Sequence, residues 1–415
     1  MEPYDIAVIG GGASGLAAAV SAADRIAPGG RAAILEKNPR VGKKLLATGN
    51  GRCNLTNRNA DAAAYRGDSA FLTQILNRYP PRKILDCFSG MGLVCRELDG
   101  GRIYPYSLQA SSVLNVLRRR LERSRVETLC GFSVQTIRAG SSGFTIFAQD
   151  GRAAAARRII LAAGGSACPQ SGSCGDGCGL ARSFGHSVTE LSPALVPVKT
   201  DPALVKPLRG LRFPARAVLN TNGKALAESS GEVQFTENAL SGICIFDLSR
   251  YVSRAKDSRK AEIVLDLIPE YPAERAAEYL IRTARRDRTL SCAELAGGIF
   301  GKALGTELAR RAFAGRVSGS AAESDPALLA RTAKRLSFPV RGTFGWDRAQ
   351  VTAGGVPLCE VDPDMQSRFQ PGLFLCGELL DADGICGGYN LHWAWSTGFA
   401  AGAAAARSLT GNKAE

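Results

Sequence analysis

Residues Tyr4–Ile9 are apolar apart from Asp5, and a second apolar run at residues 32–35 follows a glycine-rich turn and an alanine-rich stretch at 16–23. The two runs predict strands and the stretch between them predicts a helix, which together make a β-α-β unit. In residues 158–162, Arg158 is followed by an unbroken apolar run, typical of a strand buried on both faces of a parallel sheet. Residues 372–376 have the same character, so we expect them to close that sheet from the other end of the chain.

Apolar residues recur at three- and four-residue steps in 71–79, 82–88 and 111–123, which predicts helices. Alternating apolar and polar residues at 132–138, 144–148 and 153–157, with a two-residue turn at Asp150 and Gly151, predict a small antiparallel meander. Short strand-like segments separated by proline and glycine occupy 191–245, helical spacing covers 246–336, and an alanine-rich helix is expected at 392–409. The pattern therefore predicts an α/β protein: one domain from residues 1–190 and 337–415, a β-rich insertion at 191–245 and a helical insertion at 246–336.

The chain has 415 residues and a formal net charge of +14. Its arginine clusters lie in segments with helical spacing, where a solvated outer face is the ordinary arrangement, so we expect no nucleic-acid partner. An RNA-binding flavoprotein remains the alternative that the charge leaves open. Glycines interrupt the first apolar segment, and neither a signal peptide nor a membrane span fits it, so we expect a cytoplasmic protein without a membrane partner. The pattern leaves the oligomeric state open.

The twelve cysteines are scattered and form no C-x-x-C pair. Cys174 and Cys178 come nearest, but no second pair or histidine stands where a zinc site would need one. We expect no metal site.

The N-terminal turn has the sequence G-x-G-x-x-G at Gly10, Gly12 and Gly15, between a predicted strand and a predicted helix, with Glu36 ending the next strand. In such a motif the first glycine allows a tight turn, the second lets the backbone approach a pyrophosphate, and the third permits close packing of the helix on the strand. The acidic residue accepts hydrogen bonds from ribose hydroxyls. The sequence therefore predicts a dinucleotide site.

Two further segments favour FAD over NAD. Residues 42–54, which follow the strand that ends at Glu36, carry three glycines and several polar side chains, which suits an extended loop along a long cofactor. Near the other end, a strand stops at Gly377 and Glu378, and Gly387 and Gly388 precede the last helix. A helix N-terminus there would stabilise negative charge on the N1–C2 carbonyl edge of a reduced flavin.

With these motifs the chain resembles the BaiN/YhiN-like NAD(P)/FAD-dependent oxidoreductases, a branch of the glutathione-reductase-type flavoproteins that includes aminoacetone oxidase. The resemblance spans nearly the whole chain and also involves residues 48–54, 171–177, 235–237 and 240–242. It implies a Rossmann-type FAD-binding domain formed by both termini, with inserted β-barrel-like and helical domains.

The resemblance also implies positions for the cofactor contacts. The diphosphate and adenosine contacts would fall on Gly10, Gly12, Ala13, Ser14, Gly15, Glu36, Lys37 and Val134. The flavin-side contacts would fall on Lys44, Thr48, Gly51, Arg52, Cys53, Ala163, Gly164, Gly165, Gly377, Glu378, Gly388, Tyr389, Asn390 and Leu391.

The catalytic candidates are His392 and Cys386. His392, which stands where glutamine is expected in many relatives, is either a proton donor or a packed helix residue. Cys386, like Cys53, lies beside a flavin-side loop, but the two are far apart in sequence, which favours small packing residues over a redox pair.

We therefore expect an oxidoreductase that transfers hydride through flavin N5 to or from a small organic substrate. No second dinucleotide motif is present, so NAD(P)H would be a transient electron donor. The resemblance implies either NAD(P)H-dependent reduction of a conjugated double bond in an oxo bile acid or steroid-like substrate, or amine oxidation of the aminoacetone type with hydrogen peroxide as product.

Overall fold

The structure, a computed structural model, describes residues 2–255, 260–313 and 320–410. The chain divides into two compact units, Met1–Pro193 with Ala349–Glu415 and Ala194–Arg348. The first unit thus draws on both ends of the chain, as expected. Residues 1, 256–259, 314–319 and 411–415, which the predicted domains include, lie outside the described residues.

The first unit combines a seven-stranded sheet with smaller sheets and a set of helices. Its strands are β1 (Tyr4–Ile9), β2 (Ala32–Glu36), β3 (Thr56–Asn57), β4 (Tyr65–Arg66), β5 (Cys95–Leu98), β6 (Arg102–Pro105), β7 (Glu127–Cys130), β8 (Val134–Gly140), β9 (Gly143–Ala148), β10 (Ala153–Leu161), β11 (Ser192–Ala194), β18 (Val351–Ala353), β19 (Leu373–Leu375) and β20 (Asp383–Gly384). Its helices are α1 (Ala13–Ala23), α2 (Lys43–Ala47), α3 (Ser69–Arg78), α4 (Pro81–Gly90), α5 (Ala110–Arg123), α6 (Asp176–Arg182) and α13 (Tyr389–Leu409).

The main sheet has the order β7-β2-β1-β10-β9-β8, and β19 also pairs with β10. Strands β7, β2, β1, β10 and β19 are parallel, and β9 and β8 are antiparallel. The sequence predicted two strands, at 153–157 and 158–162, where the structure has the single strand β10. The first half of β10 pairs with β9 and its second half with β19, while β1 holds the opposite edge. One strand therefore joins the predicted meander to the parallel sheet.

The alanine-rich composition of α1 and α13 reflects their close packing. A Cβ atom added at Gly398 would lie 2.4 Å from the Ser14 carbonyl oxygen, and one at Gly402 would lie 2.1 Å from that of Ala18. The Ser21 hydroxyl donates to the Phe399 carbonyl at 2.8 Å. Residues without bulky side chains let the two backbones approach, and this contact places the middle of the last helix beside the first helix.

The second unit contains an antiparallel sheet and six helices among its described residues. Its strands, in the sheet order β12-β15-β14-β13-β16-β17, are β12 (Val198–Lys199), β13 (Arg212–Thr221), β14 (Lys224–Phe235), β15 (Ala239–Ser241), β16 (Ala261–Asp266) and β17 (Leu336–Pro339). Its helices are α7 (Pro202–Val205), α8 (Ile243–Arg254), α9 (Ala273–Arg286), α10 (Cys292–Phe300), α11 (Lys302–Ala312) and α12 (Pro326–Lys334).

This unit differs from the two separate insertions that the sequence analysis expected. Strand β16 comes from the segment predicted as helical, yet it pairs with β13 along six residues. Leu219 of β13, Leu280 of α9 and Phe338 of β17 belong to one hydrophobic cluster. The helices and the sheet therefore share a single core. Among the described residues, no helix combines the length and apolarity needed to cross a bilayer.

Candidate cofactor and active site

The glycine turn after β1 has the geometry that its sequence predicts. Gly10 adopts a φ of 104°, and a Cβ there would lie 2.5 Å from the Ala162 carbonyl oxygen. A Cβ at Gly15 would lie 1.9 Å from the carbonyl oxygen of Gly10, so only glycine lets α1 approach the turn this closely. A Cβ at Gly12 would meet nothing within 4 Å. The first and third glycines thus serve the fold, and the second leaves open space before the helix.

The start of α1 fits the anionic group of a dinucleotide. Gly12 is its N-cap, and no side chain caps the first turn at Ala13 and Ser14. Uncapped N–H groups and the positive end of the helix dipole favour a diphosphate at such a position. Gly377, from the other end of the chain, lies next to this turn, because a Cβ there would be 2.3 Å from the Ser14 hydroxyl oxygen. The structure therefore brings the two predicted cofactor segments together.

Glu36, at the end of β2, has a buried carboxylate that accepts three hydrogen bonds. The N–H of Gly11 donates to Oε2 at 2.7 Å, and the N–H and side-chain amide of Asn38 donate to Oε1, each at 2.7 Å. The N–H of Phe132 donates to the Glu36 carbonyl at 2.9 Å, which brings the chain leading into Val134 alongside. The predicted adenosine-side residues are thus neighbours. The contacts of Glu36 with a ribose and of Val134 with an adenine remain predictions.

Lys37 forms an ion pair with Asp176 at the start of α6. Burial acts to lower the pKa of Lys37, but the hydrogen bond and charge of Asp176 outweigh it and raise the pKa above its usual value. Lys37 therefore holds the 171–177 segment in place. To make its predicted contact with the cofactor, the Lys37 ammonium group would have to bind the cofactor and Asp176 at the same time.

The loop at 48–54 is a tight turn built on left-handed backbone. Gly49, Asn50, Gly51 and Cys53 all have positive φ. The N–H groups of Gly51 and Cys53 donate to the Thr48 carbonyl at 3.1 and 3.0 Å. Cys53 is fully buried, and burial raises the pKa of its thiol to about 12. A thiol held protonated in this way is a packing group, which agrees with the interpretation favoured by the sequence.

Arg52 extends from this loop into solvent. Its guanidinium lies 5.3 Å from the centre of the Tyr104 ring. The side chain therefore remains available to a ligand, although no described contact tests its predicted role beside the flavin.

An ion pair joins α2, at the beginning of the 42–54 segment, to the C-terminal part of the site. Lys44 of α2 donates to Glu378 Oε2 at 2.7 Å, and the N–H of Thr352 donates to Glu378 Oε1 at 2.9 Å. Lys44 and Glu378, both predicted to contact the flavin, are thus paired although they lie 334 positions apart in the chain.

The turn after β10, at Ala163, Gly164 and Gly165, is held by hydroxyl groups. The Ser173 hydroxyl donates to the Gly165 carbonyl at 2.8 Å. A Cβ at Gly165 would lie 2.3 Å from Thr352 Oγ1, which accepts the N–H groups of Ser166 and Ala167 at 2.8 and 3.0 Å. Thr352 is a site residue that the sequence analysis missed, since no motif surrounds it.

The start of α13 lies against the loop at 54–57. Gly388 is its N-cap, with a φ of 101° and no side-chain cap. A Cβ at Gly388 would lie 2.6 Å from the Thr56 carbonyl oxygen and 2.8 Å from Asn54 Oδ1. The buried amide of Asn57 donates to the Gly387 carbonyl at 2.9 Å. The glycines at 387 and 388 therefore let the last helix begin directly on this loop.

Tyr389 and Asn390 act mainly within the protein. The Tyr65 hydroxyl donates to the Tyr389 carbonyl at 2.8 Å. The Asn390 side chain pairs with both the N–H and the carbonyl of Gly384, each at 2.8 Å. Leu391 is partly buried beside the core. Any cofactor contacts at these positions would use backbone groups of the helix start.

His392, a candidate for either a proton donor or a packed helix residue, lies in the core with no exposed surface. Its Nδ1 is 2.8 Å from the Thr56 hydroxyl, and Nε2 has no hydrogen-bond partner of normal geometry among the described residues. Burial lowers the pKa of His392 to about 4, against a smaller opposing effect of the Tyr79 backbone. A neutral, enclosed imidazole bonded to Thr56 is the arrangement expected of a packed helix residue, and the catalytic role of His392 remains a prediction.

Cys386 is partly exposed in the segment before α13, and none of the twelve cysteines forms a disulfide. Its predicted catalytic role remains a prediction. Among the described residues, no group of three or more histidine, cysteine or acidic side chains could hold a metal ion.

The geometry fits FAD in three respects. At the site, the starts of α1 and α13 both lack a side-chain cap. Open space adjoins Gly12, and a buried acceptor, Asn54 Oδ1, has no partner among the described residues. These features would hold a diphosphate at the first helix and the ring edge at the last. Asn54 lies within the 48–54 motif, and Thr56 and Asn57 lie just after it, but the sequence pattern gave no reason to single them out.

Comparison with known proteins gives consistent results. The family described as HI0933-like protein Rossmann domain matches residues 4–404. The chain is 41% identical to the 3-dehydro-bile acid delta(4,6)-reductase of Clostridium scindens over 97% of this chain and 98% of that protein. It is 26% identical to the ribosomal RNA dihydrouridine synthase of Escherichia coli over 96% of this chain and 97% of that protein.

Among solved structures, the fold is similar to that of the 3-ketosteroid delta1-dehydrogenase of Sterolibacterium denitrificans. The TM-score is 0.54 at 14% identity, covering 98% of this chain and all of that one. A 3-ketosteroid-delta4-(5alpha)-dehydrogenase from Rhodococcus jostii RHA1 gives a TM-score of 0.51 at 16% identity, covering 98% of both chains. At these identities the similarity shows the fold alone.

Proposed function

Because the chain belongs to the HI0933-like family of Rossmann-domain proteins and is an FAD-dependent oxidoreductase, we propose that it reduces a carbon–carbon double bond conjugated to a carbonyl group in a steroid-like substrate. The name of the Clostridium relative describes this reaction on a 3-oxo bile acid. Identity of 41% over nearly the full length of both chains is the observation that carries the proposal.

The chemistry also accommodates the more distant relative. Making dihydrouridine from uridine saturates a ring double bond that is conjugated to a carbonyl group. The names of both relatives therefore describe addition of two hydrogens to an activated double bond, although the substrates differ greatly in size. We infer that the reaction type is shared and that the substrate varies within the family.

FAD, when bound, would supply hydride transfer through N5. The protein would hold the diphosphate at the start of α1 and favour negative charge on the ring edge at the start of α13. The Lys44–Glu378 pair and the Asn57 amide keep the surrounding segments in position. For overall balance, NAD(P)H would donate one hydride and solvent one proton to the two carbons of the double bond.

An anaerobic assay of NAD(P)H consumption with 3-oxo bile acids carrying conjugated double bonds tests this proposal. We expect turnover of the enone and none of the saturated ketone. An aerobic peroxide assay with aminoacetone runs in parallel. Peroxide formation from the amine without any enone reduction would replace the proposal by amine oxidation.

RNA is the second candidate substrate, because α9 carries an unusual surface. Five exposed arginines lie on or just after this helix, and none forms a salt bridge with a described residue; they are Arg275, Arg282, Arg285, Arg286 and Arg288. The exposed rings of Tyr271 and Tyr279 lie 5.4 and 5.9 Å from two of the guanidiniums. Arginine beside exposed aromatic rings suits single-stranded RNA. By contrast, Arg119 and Arg120 of α5 bind within their own unit.

Binding of ribosomal RNA fragments at several salt concentrations separates the two substrates. A steroid reductase would bind RNA weakly and without reducing uridine. Tight, steeply salt-dependent binding together with dihydrouridine formation would favour the RNA substrate.

A further inference from the structure

Asn54 lies at the point where the 48–54 loop meets the start of α13, and its Oδ1 atom is buried without a hydrogen-bond partner among the described residues. Leaving a buried polar atom unpaired costs about 1–3 kcal/mol, so nearly all such atoms in folded proteins are paired. The atom faces the N-cap of α13, since a Cβ at Gly388 would lie 2.8 Å from it. A ligand seated at this helix start would therefore meet an acceptor as well as the helix dipole.

The chemistry of the flavin ring selects the partner for this acceptor. The N1–C2 carbonyl edge accepts hydrogen bonds and suits the N-terminus of α13. Directly beside the C2 carbonyl stands N3–H, the only N–H donor in the ring system of oxidised flavin. An acceptor next to the helix N-cap matches this alternation of acceptor and donor along the ring edge.

We propose that Asn54 Oδ1 accepts a hydrogen bond from flavin N3–H and so fixes the orientation of the ring at the start of α13. The proposal depends on the proposed function only in that FAD is the cofactor. Asn54 is a positioning residue, and it takes no part in proton or hydride transfer.

Neighbouring polar groups do not offer the same arrangement. The Asn57 amide already donates to the carbonyls of Gly387 and Gly100, at 2.9 and 3.1 Å. The unpartnered Nε2 of His392 and the hydroxyl of Ser396 lie on fully buried residues further along α13. Of these groups, Asn54 is the one next to the helix N-cap, where the ring edge is expected.

The test compares binding of FAD and of N3-methyl-FAD to the full-length apoprotein. Wild-type protein should bind the methylated cofactor about tenfold more weakly, as expected for loss of one hydrogen bond to a buried acceptor. In Asn54→Ala the two cofactors should bind within about twofold of each other. Asn54→Asp, which keeps an acceptor of the same shape, should retain the discrimination. Asn57→Ala serves as the matched control, since it should weaken both cofactors equally.

A second measurement separates hydrogen bonding from steric exclusion of the methyl group. With ¹⁵N3-labelled FAD, the N3–H proton should exchange slowly with solvent in wild-type protein and in Asn54→Asp, and rapidly in Asn54→Ala. Equal binding of both cofactors to wild-type protein, or unchanged exchange in Asn54→Ala, would overturn the proposal. Because no substrate is present in these experiments, their outcomes do not test enone reduction, which has its own assay. Only failure of the wild-type protein to bind FAD would count against both the role of Asn54 and the proposed function.

Discussion

The helices α1 and α13 both begin without a side-chain cap, and the chain builds these two starts in different ways. At α1, the glycines that shape the turn and the acidic residue that borders it all lie within residues 10–36. At α13, the start depends on Asn57, Thr56 and Tyr65, more than 300 residues earlier in the chain. The difference shows that a local motif can build one end of a cofactor site, whereas the other end requires long-range contacts.

The largest expected effect concerns the locally built start. Gly15→Ala would put a Cβ 1.9 Å from the Gly10 carbonyl oxygen, and backbone atoms cannot move aside cheaply. We expect the apoprotein to lose about 3 kcal/mol or more of stability and to bind no FAD. Thermal melting of the apoprotein and titration with FAD measure both quantities.

Gly12→Ala is the matched control, since its Cβ meets no protein atom within 4 Å and its φ of −79° suits alanine. This variant should melt like the wild type but bind FAD at least tenfold more weakly, because the methyl group would occupy the approach to the helix start. Equal loss of stability in both variants would contradict this division of roles.

At the start of α13, the largest effect should depend on pH. The pKa of His392 is about 4 in the folded protein, below its ordinary value of about 6.5. Both states are neutral well above pH 6.5, and as the pH falls through 6.5 towards 4 the unfolded state gains a proton that the folded state excludes. Folding should therefore lose about 3 kcal/mol between pH 6.5 and 4.

His392→Gln should flatten this part of the stability curve, measured by denaturant unfolding of the apoprotein at each pH. The variant keeps a side chain able to bond Thr56. A slope that is the same in wild type and variant would show that the pKa of His392 is the same in the folded and unfolded protein.

Removing the Asn57 amide should have a smaller effect. Asn57→Ala leaves the carbonyls of Gly387 and Gly100 without this donor, and we expect a loss of about 2 kcal/mol of stability. Asn59→Ala, an exposed neighbour, should change stability by less than about 0.5 kcal/mol. If both variants melt alike, the amide does not hold the start of α13.

The smallest effect belongs to the Lys44–Glu378 pair, whose side chains are 25% and 21% exposed. A double-mutant cycle with Lys44→Met and Glu378→Gln should give a coupling of about 1 kcal/mol that shrinks as salt is added. The more exposed Arg331–Asp325 pair should show less coupling. A coupling that does not respond to salt would mean that the pair acts through packing.

The sequence predicted the parallel sheet, the glycine turn, the acidic residue at the end of β2 and the helix at each end of the site. It did so because these features have short-range signals, such as unbroken apolar runs and glycines at fixed spacing. It missed β7, divided β10 into two strands, and separated the second unit into two domains. Strand pairing between distant segments, as between β13 and β16, leaves no signal in either segment alone.

The sequence by itself determined that Gly10, Gly12 and Gly15 form a tight turn between a strand and a helix, because glycine spacing and flanking elements specify a backbone path locally. Only the tertiary structure decided what the remaining candidates do. His392 is one turn past Gly388 in sequence, yet its environment comes from Thr56 and Tyr79. A side chain's exposure, partners and pKa depend on what packs against it, and for this half of the site those groups come from far along the chain.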